Sequence, residues 1–177
     1  DIGAEPLPIL NCGMACQFNS AEVAPLGDLA PYVQDALDLI EFANGSTSTK
    51  WGRIRADMGH PAPFNLKMLG VGNENWGPQY IERLKELFDY LNGELREMKA
   101  EFIDEHYYSR PEWFLANAKR YDTYDRKSKS TVFAGEYAGQ SDKTVSGLKK
   151  NNWRTALAEA AYMTGLERNA DVVQMAS

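Results

Sequence analysis

The chain has 177 residues, with 19 Lys and Arg against 25 Asp and Glu and a formal net charge of −6, a sign that argues against nucleic acid as a partner. Its 44% hydrophobic, 11% aromatic and 25% charged residues are those of a water-soluble domain able to bury a core, and its length suggests one domain. No apolar run approaches the roughly 20 residues of a membrane-spanning helix, and the first residues, DIGAEPLPIL, lack the basic start of a signal peptide, so neither a membrane nor an export label is expected.

The first strand is expected at Pro6 to Cys12, a short apolar run. A helix from about Leu29 to Asn44 follows, capped by Asp28, with Pro31 in its first turn and Val33, Leu37 and Ile40 on its buried face. Residues 45–66 read as a loop with a helical turn around Trp51 to Met58, and Lys67 to Gly72 as a second strand. After Pro78 the apolar positions Ile81, Leu84, Phe88, Leu91, Leu95 and Met98 recur in steps of three and four, predicting a long helix whose weak point is Asn92-Gly93. A strand from Glu101 to Tyr107 leads into a helix that opens at Pro111 and carries Trp113, Phe114 and Tyr121. The polar linker Asp125 to Ser130, a strand Thr131 to Gly135 and a polar loop Gln140 to Lys150 come next. A helix from about Asn152 to Asn169 and a strand Asp171 to Ala176 close the chain. Strand and helix alternate, so the expected class is α/β, with parallel strands joined by crossover helices in a sheet of about five strands that looks like part of a larger barrel.

In such folds the chemistry sits at the carboxyl ends of strands. Asn73-Glu74-Asn75-Trp76 stands there: a carboxylate suited to general acid work, flanked by amides that bind sugar hydroxyls and a Trp that stacks on a ring. Gly135-Glu136-Tyr137 repeats the arrangement on another strand, with Tyr137 expected to hydrogen-bond the carboxylate. Two glutamates so placed are the minimum equipment for glycoside hydrolysis. On a third strand, alternation puts Asp104, His106 and Tyr108 on one face, where His106 can bond a carboxylate or a sugar hydroxyl. With His60 the only other histidine, a metal centre lacks ligands, and no metal or organic cofactor is expected. Cys12 and Cys16, at C-x3-C spacing, read as buried thiols, and Trp51, Trp113 and Trp153 as core.

The segments GVGNENWGPQY, DEHYYSRPEWF and FAGEYA, with EFANGSTSTKWGRIRADMGHPAPFNLK and ALAEAAYMTGLERNADVV, resemble the family 51 glycoside hydrolases, the α-L-arabinofuranosidases. The resemblance implies an incomplete (β/α)8 TIM barrel, with Glu74 as acid/base and Glu136 as nucleophile of a retaining mechanism. It also implies that Asn73, Trp76, His106 and Tyr108 bind an arabinose-containing carbohydrate. The whole chain would then be part of one catalytic barrel domain, in which the first strands, strand five and the accompanying C-terminal β-sandwich are not represented. The compartment is left open, with a lean to extracellular or periplasmic, and so is the oligomeric state. Two alternatives stand beside this reading: a two-glutamate barrel enzyme acting on β-xylosides or β-glucosides, and an inactive sugar-binding protein.

Overall fold

The apolar runs form strands and the periodic stretches form helices, in the order β1 (Ile9–Leu10), α1 (Ala30–Asn44), α2 (Lys50–Asp57), β2 (Gly70–Val71), α3 (Pro78–Leu95), β3 (Phe102–Ser109), α4 (Pro111–Ala116), β4 (Thr131–Gly139), α5 (Trp153–Arg168) and β5 (Val173–Ala176). This computed structural model describes residues 3–95, 101–141 and 152–177. Met98 and nearly all of the expected loop from Gln140 to Lys150 lie outside the described residues. The chain divides into two compact units, Asp1–Met98 and Lys99–Ser177. All strand pairings in the two sheets are parallel, but the described strands form a two-stranded sheet, β1-β2, and a three-stranded sheet, β3-β4-β5, in place of one sheet of five.

In the first unit β1 shrinks from the expected seven residues to Ile9–Leu10, because Pro6 and Pro8 have no N–H to give to a ladder. Helix α1 starts without the expected Asp28 cap. Asp28 belongs to a 3-10 turn, Leu26–Asp28, and Leu29 takes the capping position with no side-chain bond. Helix α3 runs unbroken through Asn92-Gly93, since the roughly 1 kcal/mol a mid-helix glycine costs is small beside burial of leucines along the same face. Leu87 and Leu91 are fully buried. Leu87 packs with Cys12, Met14 and Val33 into this unit's core.

Behind α1 and α2 lies a buried cation that sequence patterning does not disclose. Arg55, on α2, is 1% exposed and donates to four carbonyls: Nε to His60 at 2.9 Å, Nη1 to Phe42 at 2.7 Å, and Nη2 to Gly45 at 2.8 Å and Pro61 at 3.1 Å. The fixed fork of the guanidinium thus gathers the end of α1 and the loop after α2 around one side chain. Arg55→Ala would strand these carbonyls and leave a cavity. It should destabilise the unit by about 3 kcal/mol, read as a lowered urea midpoint, and a midpoint within error of wild type would contradict this account.

The second unit has its core on one face of the three-stranded sheet. Phe114 of α4, Tyr121, Val132 and Ala134 of β4, and Ala158, Tyr162 and Leu166 of α5 pack there with Val172 and Val173. The helix expected to run on from Pro111 to Tyr121 stops at Ala116, and Tyr121 enters the core from a separate 3-10 turn, Arg120–Thr123. Trp113 packs against this core as expected, whereas Trp153 is 78% exposed at the start of α5.

Candidate active site

The two expected carboxylates fall one in each unit: Glu74 just past the end of β2, and Glu136 inside β4, which runs on to Gly139 instead of ending at the expected Gly135. In the first unit β2 ends in a tight turn in which Gly72 (φ 79) and Glu74 (φ 52) adopt left-handed backbone, a conformation uncommon for a glutamate. Asn75 holds the turn: its Oδ1 accepts from the Asn73 N–H at 2.9 Å and its Nδ2 donates to Ala15 O at 2.9 Å. The Trp76 N–H donates to Gln17 Oε1 at 2.5 Å. Asn73 is exposed, and Trp76, 49% exposed, tilts against Phe18 with ring centroids 5.0 Å apart. Phe18 extends the aromatic surface, a contribution not anticipated from the sequence.

The reading of the cysteines needs correcting at Cys16. Cys12 is buried, but Cys16 is only half-buried, and its Sγ donates to Glu74 Oε2 at 2.7 Å. That bond holds the Cys16 thiol above its ordinary pKa, while burial does the same for Cys12. The loop after β1 carries the thiol to the carboxylate, and 58 positions of chain separate the two, so no local pattern reveals the pairing.

In the second unit β3 alternates as expected. Asp104, His106 and Tyr108 share one face, while Glu105 and Tyr107 face the core side. Strand β4 does not alternate. Asp104 pairs with Phe133 and His106 with Glu136, so β4 spends one more residue than β3 over this stretch, a β-bulge. Val132 and Ala134 face the core, and the extra residue turns Glu136 to the side of His106 and Tyr108 and returns Tyr137 to the core. Tyr137 accordingly does not hold the carboxylate as expected. It stacks on Tyr162 at 5.6 Å, and burial pushes its hydroxyl pKa up. Tyr108 takes that part, its OH donating to Glu136 Oε2 at 2.9 Å, with His106 Nδ1 at 3.6 Å from the same oxygen. Tyr108, Ser109, Arg110 and Gln140 line a cleft beside this carboxylate. Carboxylate, phenol and imidazole therefore converge on one face of the paired strands β3 and β4, with the phenol aiming the carboxylate.

The model of the α-L-arabinofuranosidase 1 domain matches residues 1–126, and that of the α-L-arabinofuranosidase C-terminal domain matches residues 135–177. The chain belongs to the α-L-arabinofuranosidase family. Within this family it is similar to the extracellular exo-α-L-arabinofuranosidase of Streptomyces chartreusis, 44% identical over 204 aligned positions that take in all of this chain and 23% of the relative. It is also similar to α-L-arabinofuranosidase 1 of Arabidopsis thaliana, at 34% identity over all of this chain and 27% of the relative. The chain thus spans about a quarter of the length of these curated relatives. Among solved structures it is similar to the arabinose-bound MgGH51 α-L-arabinofuranosidase, with a TM-score of 0.81 and 31% identity over 96% of this chain and 30% of that one. These likenesses place the chain with the family 51 arabinofuranosidases that its motifs resemble.

Proposed function

We propose that the chain is part of the catalytic (β/α)8 barrel of a retaining α-L-arabinofuranosidase. The observation that carries this is the seat of Glu136, a carboxylate in the carboxyl-terminal half of β4 bonded by Tyr108 and flanked by His106, in a chain of this family. Glu136 attacks the anomeric carbon of a terminal α-L-arabinofuranosyl unit, and the bond to the departing oxygen breaks as Glu74 gives that oxygen its proton. Glu74 then takes a proton from water, whose oxygen displaces Glu136 and releases arabinose with retained configuration. Asn73 and Trp76, on the turn that carries Glu74, and His106 and Tyr108, beside Glu136, bind the sugar.

Several observations support the wider reading. Strands paired in parallel and alternating with helices suit a barrel. The 204 aligned positions exceed the chain's 177 residues, which supports a barrel lacking internal segments that the relative has. Substrates are arabinose-bearing polysaccharides or oligosaccharides, in keeping with the arabinose bound to the similar structure, and the site of action is extracellular, like that of the Streptomyces relative. The test is hydrolysis of an aryl α-L-arabinofuranoside compared with the aryl β-D-xyloside. Preference for the arabinofuranoside is expected, and a strong preference for the xyloside would overturn the substrate assignment.

A further inference from the structure

The bulge that aims Glu136 has a second effect. Gly135, on the bulge, takes no position in the register with β3 or with β5, so its N–H is released from the ladder. That N–H donates to Asp104 Oδ1 at 3.1 Å. The other carboxylate oxygen, Oδ2, lies 3.0 Å from His106 Nε2. A carboxylate only accepts, so Nε2 carries the proton of this bond, which fixes the ring with Nδ1 toward Glu136. Room for the carboxylate exists only because residue 135 is a glycine. A Cβ there would stand 2.2 Å from Asp104 Oδ1 and 2.9 Å from Phe133 Cε1.

We infer that Asp104 is a positioning residue for the hydrolytic site: seated against Gly135, it locks the tautomer and orientation of His106 and, through His106, sets the surroundings of Glu136. This rests on the reading of Glu136 as nucleophile. Asp104 itself touches neither Glu136 nor the sugar in this account. Its effect passes through one ring, as when a carboxylate orients a histidine that acts on a third group.

The test uses the 177-residue chain labelled with 15N. Its two histidines, His60 and His106, are told apart by a His60→Gln variant. In wild type, His106 should show a protonated Nε2 whose proton exchanges slowly. Asp104→Ala should abolish that protection and return the ring to the mixture of tautomers found in solvent, and Gly135→Ala, which displaces the carboxylate without removing it, should give the same spectrum. Asp104→Asn keeps the side chain's shape, guards against misfolding and should fall between. With aryl α-L-arabinofuranoside, Asp104→Ala should lower kcat about 10- to 100-fold while KM stays within about twofold.

An unchanged His106 spectrum in Asp104→Ala overturns the inference, whatever happens to the rate. A changed spectrum with unchanged kcat overturns it as well, since the ring would then be held to no purpose. If the wild-type chain hydrolyses no arabinofuranoside, the enzyme reading of the chain fails separately, and the spectra alone decide whether Asp104 seats His106.

Discussion

Replacing Glu136 by alanine is expected to lower turnover of an aryl α-L-arabinofuranoside by at least about a thousandfold with the fold intact. The side chain is 41% exposed and has Tyr108 and His106 as polar neighbours. Its removal therefore leaves no polar group stranded in the core, and the loss belongs to chemistry rather than stability. Glu136→Ala also opens a space at the anomeric carbon into which a small anion can step. Added azide should restore turnover and yield a glycosyl azide of inverted configuration, because only one displacement then occurs. Glu74→Ala, assayed with a leaving group that needs no proton, should instead give the azide of retained configuration. Exchanged stereochemistry would swap the two assignments. Unaltered hydrolysis in Glu136→Ala would remove Glu136 from the nucleophile's role, whereas sugar binding with no hydrolysis in the wild-type chain and no change in the variant would favour the sugar-binding alternative.

The largest effect on stability is expected at Glu105, on the opposite face of β3. Its carboxylate, 16% exposed, accepts from three phenols: Tyr107 at 2.5 Å and Tyr121 at 3.0 Å on Oε2, and Tyr124 at 2.8 Å on Oε1. Arg120 Nε lies 3.6 Å away, its guanidinium over the Tyr107 ring. Burial raises the pKa of all three tyrosines, and hydrogen bonding to Glu105 raises it further for Tyr107 and Tyr124, so these phenols stay protonated and act as donors. The network reaches on through Tyr121 to Tyr162, whose own pKa burial pushes up to about 12. Glu105→Ala removes the acceptor that all three share and leaves Arg120 without its carboxylate. A loss of about 3–5 kcal/mol is expected. Glu105→Gln keeps one acceptor oxygen and should cost about 1–2 kcal/mol. Urea titration followed by tyrosine and tryptophan fluorescence reads both, and equal losses for Ala and Gln would refute the network.

Much of the site was legible from local pattern alone. Small and polar residues after an apolar run marked the end of β2, and strict alternation put Asp104, His106 and Tyr108 on one face of β3, as the structure has it, whereas β4 runs four residues past its expected end at Gly135. What was not legible depends on pairing between strands or on long loops. The partner of Glu136 was expected in the adjacent Tyr137 and is found in Tyr108, 28 positions away, because a register shift between two strands is invisible in either one. Cys16 and Arg55 escaped for the same reason: each meets its partners through a loop whose path composition does not set. The short β1 could have been foreseen, since Pro6 and Pro8 stand in plain view.

The bulge in β4 also makes the position of the carboxylate a matter of counting. Substitutions between Val132 and Glu136 alter the site by degrees, according to size and polarity. Deleting one residue there restores simple alternation and exchanges the faces of everything downstream. Glu136 would then point among Tyr162, Phe114 and Ala158, and Tyr137 would face the cleft. Such a chain would lose one residue of FAGEYA, keep its other motifs intact, and have its proposed nucleophile in the core.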